Sequence, residues 1–235
     1  MSKDGLPRSE TIISLYDEWS ENWNRDGADS TRRRVLNFLS SWRDRSGDWF
    51  EKVADDFFEY ARLFPEFGVA FSEANLRGTL KRLHFCNHTI WHFEAEARRD
   101  DVDPEKIVEV KRGIDAGNQK RNDQMERIDD IIIDSIQPDS TETTPVQSEP
   151  PGLMLDRLSI LSLKIFHYSH KDRSGEVGRL EEQRRDLGKA FDRMVEAVSR
   201  GKRRIKVYKQ LKTYNDPELN PAMKNTETQG ESDAG

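Results

Sequence analysis

The chain has 235 residues, of which 34% are hydrophobic and 35% charged, with a net charge of −6 at pH 7 and a mean hydropathy of −0.90. No window approaches the roughly 20 apolar residues of a membrane-spanning helix, the first ten residues lack the apolar core of a signal peptide, and Cys86 is the one cysteine. These features exclude a transmembrane protein, a disulfide scaffold and a cysteine-based zinc site, and they predict a cytoplasmic protein.

The N-terminal part of the chain predicts three short helices. Apolar residues recur at helical spacing over 11–23 and again over 35–42, after a loop at 26–30 that is rich in Gly, Asp and Ser. Asp48 is a candidate cap for a third helix, which is interrupted at Pro65. This region also carries a set of large aromatic residues: Trp42, Trp49, Phe50, Phe57 and Phe58.

The rest of the chain predicts four long helices, over 72–99, 104–136, 152–168 and 176–200. Between the second and third helices, residues 137–151 are rich in Pro, Ser, Thr and Glu, which predicts a mobile linker. The basic segment 202–214 is predicted to be helical and the polar tail 222–235 to be disordered. No strand pattern is found, so the predicted fold class is all-α, a bundle of long antiparallel helices with a core domain at 72–221.

Polar residues fall on the inward face of the first long helix. His84, His88, His92 and Glu96 are four residues apart in series, which places them on one face of the helix. Two histidines at this spacing can share a metal ion, with a carboxylate completing the site. The zincin signature is missing, because position 85 is Phe rather than Glu, and so is the di-iron signature Glu-x-x-His. The alternative is a partly exposed polar face with hydrogen-bonded histidines.

Two further helices also carry polar residues among apolar ones. Arg121 lies on the apolar stripe of the helix 104–136, where a guanidinium requires a buried acid or a bound anion. The helix 152–168 is so apolar that its four polar groups are expected to be embedded and either paired or bound to a ligand; they are Asp156, Arg157, Lys164 and His167. Two interpretations stay open: an ion-pair network that fixes the helix register, and a ligand site.

The polar residues form motifs that resemble a bacterial family known as domain of unknown function 4254. The motifs are His84-x-x-Asn87, Trp91-His92-x-Glu94, Asn118-Gln119-x-Arg121-Asn122-Asp123, Asp156-Arg157-Leu158 and Tyr214-Asn215-Asp216-Pro217. The resemblance covers about 76–221 and implies a helical domain with a shared polar site. It also implies a role in cell-surface polysaccharide metabolism, because relatives are encoded near glycosyltransferase genes.

The chain departs from the family pattern in two places. Ala95 stands where the family has Asp, which weakens a carboxylate pair beside His92. Residues 26–71 resemble a helical insertion relative to typical members, within an N-terminal region of 1–71.

One function that these residues suggest is a hydrolase or transferase acting on a phosphorylated or nucleotide-linked small molecule. The candidate catalytic residues are His92, Glu94 and His167. The candidate ligand-binding residues are Asn118, Arg121, Asn122, Arg157, Lys164 and Arg184. The candidate ligands for Mg²⁺ or a similar divalent ion are His88, His92, Glu96, Asp123 and Glu126. The chain has no glycine-rich phosphate loop.

Two other functions remain as alternatives, so the sequence leaves open whether the chain is an enzyme. A non-catalytic accessory or scaffold subunit would bind another protein through the aromatic residues of the N-terminal helices, unless these are ordinary core. Nucleic-acid binding would use the basic segment 200–212, but the net charge of −6 argues against it and favours a solvated basic helix.

Overall fold

The computed structural model describes residues 5–43, 75–136, 140–171, 173–208 and 218. Within these ranges the chain forms six helices and a pair of two-residue strands. In chain order these are α1 (Ser9–Trp23), α2 (Ala28–Arg43), α3 (Leu76–Glu96), α4 (Pro104–Ile136), β1 (Val146–Gln147), α5 (Pro151–Ser169), α6 (Ser174–Ser199) and β2 (Arg204–Ile205). The predicted all-α class is confirmed. Among these six helices, none combines the length and apolar character that crossing a membrane requires.

The helix boundaries follow local capping signals. Helix α4 begins at Pro104 as predicted, with Glu105 in its first turn. Helix α3 begins at Leu76, four residues later than predicted, because Asn75 is extended and its side chain accepts a hydrogen bond of 2.9 Å from the Gly78 amide. The third predicted helix with Trp49, Phe50, Phe57 and Phe58, the side chain of Trp42 and the tail 222–235 lie outside the described residues.

The prediction of a helix at 202–208 is wrong. Strand β2 pairs in parallel with β1, which lies in the segment predicted as a mobile linker. The Arg204 amide donates to the Pro145 carbonyl at 3.0 Å, and its Nε donates to the Thr144 carbonyl at 2.9 Å. Pro145 has no amide hydrogen, but its carbonyl accepts, so the proline-rich segment takes up an extended partner from a distant part of the chain.

Helix α3 lies at the centre of the described bundle and packs against α1, α2, α4 and α5. From Thr79 to Thr89 every residue except Lys81 is buried. Leu83 and Phe85 contribute to the same hydrophobic core as Tyr16 and Trp23 of α1. The polar residues of α3 are therefore inside the protein, where their hydrogen-bonding groups must be satisfied by other elements or by a ligand.

Two glycines let the central helices approach closely. A Cβ on Gly117 of α4 would lie 2.9 Å from Cγ1 of Ile90 on α3, so the two helices approach closely at this position. A Cβ on Gly152 of α5 would lie 2.2 Å from the Met125 carbonyl oxygen on α4. Asp129 fixes the same crossing, because its Oδ1 accepts from the Gly152 amide at 2.6 Å. Burial raises the pKa of Asp129 to about 6.

Candidate functional site

A run of hydrogen bonds crosses α1, α3 and α5 in the core. The His84 ring lies between two hydroxyls, with Nε2 3.0 Å from Ser20 Oγ and Nδ1 2.9 Å from Ser159 Oγ. Asn87 continues the run, because its Nδ2 donates to Ser159 Oγ at 3.0 Å and to Asp156 Oδ1 at 2.9 Å. Burial lowers the pKa of His84 to about 3, so its ring is neutral at pH 7. Both of its nitrogens have hydrogen-bond partners, as the alternative predicted, but this face is buried rather than partly exposed.

The run ends at Asp156, which faces a cation on α4. Arg121 Nε lies 3.5 Å from Asp156 Oδ1, and the side chains are 27% and 4% exposed. Burial raises the pKa of Asp156, while the Arg121 charge and the Asn87 hydrogen bond lower it. The Arg121 guanidinium forms no hydrogen bond to any described residue. The half-buried side-chain amides of Asn118 and Asn122, on the same part of α4, also form none within the described ranges.

One helical turn after Asn87, three aromatic rings from α3 and α5 lie together. Trp91 stacks parallel on His167 with ring centroids 4.7 Å apart, and the His92 ring meets His167 at 5.6 Å and 77°. The Nε2 atoms of His92 and His167 are buried and have no hydrogen-bond partner among the described residues. Burial lowers the pKa of His92 to about 3 and that of His167 to about 4, so both rings are neutral at pH 7.

These residues define a polar seam with two ends. The arginine end consists of Asn87, Asn118, Arg121, Asn122 and Asp156. The histidine end consists of Trp91, His92 and His167. Since α3 rises about 1.5 Å per residue, Asn87 and Trp91 place the two ends about 6 Å apart along its axis.

The predicted carboxylates of α3 are engaged elsewhere. Glu96 is buried and accepts from Arg32 of α2 at 2.8 and 3.0 Å and from Arg99 at 3.0 Å. This clamp holds α2 on the end of α3. Glu94 is partly exposed and pairs with Arg98 at 2.7 Å. The structure therefore brings neither carboxylate to His92.

The residues predicted to bind a divalent metal ion do not form one site. In the described ranges, no group of three or more His, Cys, Asp or Glu residues is placed to hold a metal ion. Glu96 is taken up by its two arginines, and Asp123 accepts from Gln119 at 2.8 Å with Lys120 Nζ 3.6 Å away. Four-residue spacing aligns side chains along a helix but does not direct their ligating atoms at one point. The other three predicted ligands are His88, His92 and Glu126, and they too belong to no group that could hold a metal ion within the described ranges.

Three of the six predicted ligand-binding residues lie away from the seam. The expectation that Arg157 and Lys164 are embedded in α5 is wrong, because both are exposed and Arg157 pairs with Glu149 at 2.7 Å. Arg184 donates to Asp17 at 2.6 Å and to Ser162 at 3.0 Å, and so ties α6 to α1 and α5. Asn118, Arg121 and Asn122 lie within five residues of one another on α4, and Arg121 is the one with a contact to Asp156.

Sequence reasoning misses Ser20 and Ser159, which hold His84 from two sides. The available signal was a small hydroxyl residue on an otherwise apolar helix stripe, a position where an unpaired hydroxyl is costly. Their partner is 64 or 75 residues away, so no local pattern identifies it.

The model of a family described as "Protein of unknown function (DUF4254)" matches residues 77–207, more than half of the chain. This range contains both ends of the polar seam. No curated protein and no solved structure matches the chain.

Proposed function

The chain belongs to the DUF4254 family of proteins of unknown function, and we propose that it binds a phosphorylated small molecule at the arginine end of the polar seam. The observation that carries this proposal is the state of Arg121. Its side chain is only 27% exposed and its Nε lies 3.5 Å from the Asp156 carboxylate, yet the guanidinium forms no hydrogen bond to another described residue.

Other arginines of the bundle make the contrast clear. Arg32 binds Glu96 through two nitrogens, and Arg184 binds Asp17 and Ser162. A guanidinium presents its donors in a rigid fork that matches two oxygens of a phosphate group. The amides of Asn118 and Asn122 add uncharged donors beside it, so this end of the seam favours an anion with several oxygens.

The histidine end supports acid–base chemistry on such a ligand. His92 and His167 are neutral at pH 7, and a neutral imidazole carries one donor and one acceptor nitrogen. A neutral ring can accept a proton as a general base, but burial that depresses its pKa this far also weakens it as a base, so the bound ligand must raise that pKa for catalysis. The proposed activity is therefore that of a hydrolase or transferase acting on a phosphorylated or nucleotide-linked small molecule, and in cell-surface polysaccharide metabolism this would be a nucleotide sugar.

The proposal is tested by binding of phosphate compounds to matched variants. Thermal unfolding is measured against inorganic phosphate, pyrophosphate and a nucleotide sugar, for the wild type, Arg121→Gln and Arg157→Gln. A ligand at 100 times its Kd adds about 2.7 kcal/mol to the stability of the folded state. We expect Arg121→Gln to abolish this stabilisation and Arg157→Gln, which removes an exposed cation, to retain it. Equal stabilisation of the wild type and Arg121→Gln would contradict the proposal.

The metal requirement and the accessory-subunit alternative remain predictions. Repeating the titrations with Mg²⁺ and with a chelator tests whether a divalent ion takes part. The aromatic residues predicted to contact a protein partner lie outside the described residues. A failure of all phosphate compounds to bind would favour that alternative.

A further inference from the structure

The Nε2 atoms of His92 and His167 are the starting point. Both are buried, and neither has a hydrogen-bond partner in the part of the chain that the structure describes. Leaving such a group unpaired costs about 1–3 kcal/mol. Two such atoms on facing rings of different helices indicate a shared partner that is absent from the protein itself.

The surroundings determine the chemistry of that partner. Burial lowers the pKa of His92 most, and the neighbouring His167 and Arg34 of α2 lower it further. The described residues offer no third ligand that would complete a metal site here. The rings themselves are neutral, so they do not select an anion. An uncharged group that both donates and accepts a hydrogen bond is the best match, and a hydroxyl is such a group.

The separation of the two rings is compatible with one oxygen bonded to both nitrogens. An oxygen hydrogen-bonded to Nε2 at about 2.8–3.0 Å lies about 4 Å from the ring centroid. The two centroids are 5.6 Å apart and the rings are inclined by 77°. Two distances of about 4 Å close a triangle on a base of that length. Both nitrogens are closed to water in this structure, so the two side chains must turn to admit a hydroxyl between them.

We propose that the histidine end of the seam is a subsite for a hydroxyl group of the ligand whose phosphate binds Arg121. This inference rests on the proposed function and specifies its substrate class: a hydroxylated phosphate ester rather than a phosphate alone or an alkyl phosphate. The separation of the two ends, about 6 Å along α3, is comparable to the distance between the phosphate and a hydroxyl on a short carbon chain. His92 and His167 set the specificity, because an analogue without the hydroxyl leaves both nitrogens unpaired.

The test compares two probes that have the same carbon chain and the same phosphate. Glycerol 3-phosphate carries hydroxyls that propyl phosphate lacks. The affinities of both are measured by calorimetry for the wild type, His167→Phe, His92→Phe and the control His170→Phe, which removes an exposed imidazole. We expect the wild type and the control to bind glycerol 3-phosphate at least about tenfold more tightly. His167→Phe and His92→Phe lose this preference while their affinity for propyl phosphate is unchanged.

Each outcome separates the inference from the proposed function. If the wild type binds the two probes equally, the hydroxyl subsite is refuted and water is the partner of the two rings. The proposed phosphate site is unaffected by that result. A preference that survives in a folded His167→Phe or His92→Phe variant also overturns the hydroxyl subsite. Binding of neither probe overturns the proposed function and the subsite with it. Circular dichroism verifies folding, and the two variants serve as independent replacements should one of them fail to fold.

Discussion

Replacing Arg121 by Met tests whether this cation is the counter-charge of Asp156. The Asp156 side chain is 4% exposed, and Arg121 Nε lies 3.5 Å from its carboxylate. Removing one partner of a buried ion pair costs about 3–5 kcal/mol. We expect Arg121→Met to lower the free energy of unfolding by about 3 kcal/mol at pH 8. This is the lower end of that range, because the Arg121 side chain is 27% exposed and the pair has no hydrogen bond.

The loss of stability in Arg121→Met should be larger at high pH than at low pH. Burial already raises the pKa of Asp156 above its ordinary value, and removal of Arg121 raises it further. A carboxyl group with a raised pKa binds its proton more strongly in the folded state, so stability falls as the pH rises through that pKa. The difference in stability between the wild type and Arg121→Met is therefore largest at pH 8. It shrinks on acidification, because a protonated Asp156 has no charge that needs a counter-charge.

Guanidinium chloride unfolding at pH 8 and pH 5 measures both effects. The series contains Arg121→Met, Asp156→Asn, the double variant and the control Arg157→Met, whose exposed pair with Glu149 is worth about 0–1 kcal/mol. In the double variant most of the cost of Arg121→Met should disappear, because the neutral amide that replaces the carboxylate keeps an oxygen that accepts from Asn87. The reasoning would be refuted if Arg121→Met cost no more stability than the control Arg157→Met. It would also be refuted if that cost were the same at both pH values and in the Asp156→Asn background.

Three further predictions concern the elements that hold the seam. Gly152→Ala should cost about 3 kcal/mol or more in denaturant unfolding, because the new Cβ would meet the rigid Met125 carbonyl at 2.2 Å; a cost below about 1 kcal/mol would contradict this close crossing. Glu96→Gln should cost about 1–2 kcal/mol by losing its two arginine partners, whereas the exposed Glu94→Gln should change stability little in the same assay. Replacing both imidazoles of the histidine end by Phe should flatten the acid limb of the stability profile. The pKa values of His92 and His167, about 3 and about 4, lie below the pKa near 6.5 of an unfolded histidine. The two neutral rings therefore contribute their full stability above pH 6.5. That stability is lost as the pH falls further, by up to about 1.4 kcal/mol per pH unit for each ring. An unchanged slope between pH 6.5 and 4 in the Phe variant would rule this out.

Local patterns explain why most helices were predictable and why some residues were not. The apolar periodicity of α4 identifies Arg121 as an inward cation, and its neighbours Asn118 and Asn122 follow from the same stripe. Helix α5 is apolar on so much of its circumference that the sequence does not indicate which strip faces solvent. Arg157 and Lys164 occupy that strip and were therefore misplaced.

Long-range pairing accounts for the other differences between sequence and structure. Strand β2 forms because Arg204 reaches the carbonyls of Thr144 and Pro145, 60 residues earlier in the chain. The basic composition of this segment suggests a helix when its partner is not considered. The clamp of Glu96 by Arg32 across 64 residues has the same origin, and it removes a carboxylate that the spacing on α3 had assigned to a metal ion.

The satisfaction of hydrogen bonds differs between the parts of the seam, and this bears on the two interpretations that the sequence left open. A network that only fixes helix register has no reason to leave its own groups unpaired, because each buried orphan costs stability. His84 meets that requirement, since both ring nitrogens have hydroxyl partners on neighbouring helices. Arg121, His92 and His167 do not, although the unpaired nitrogen of each is buried within the same group of packed helices. The satisfied half is what a register network requires, and we propose that a ligand completes the unsatisfied half.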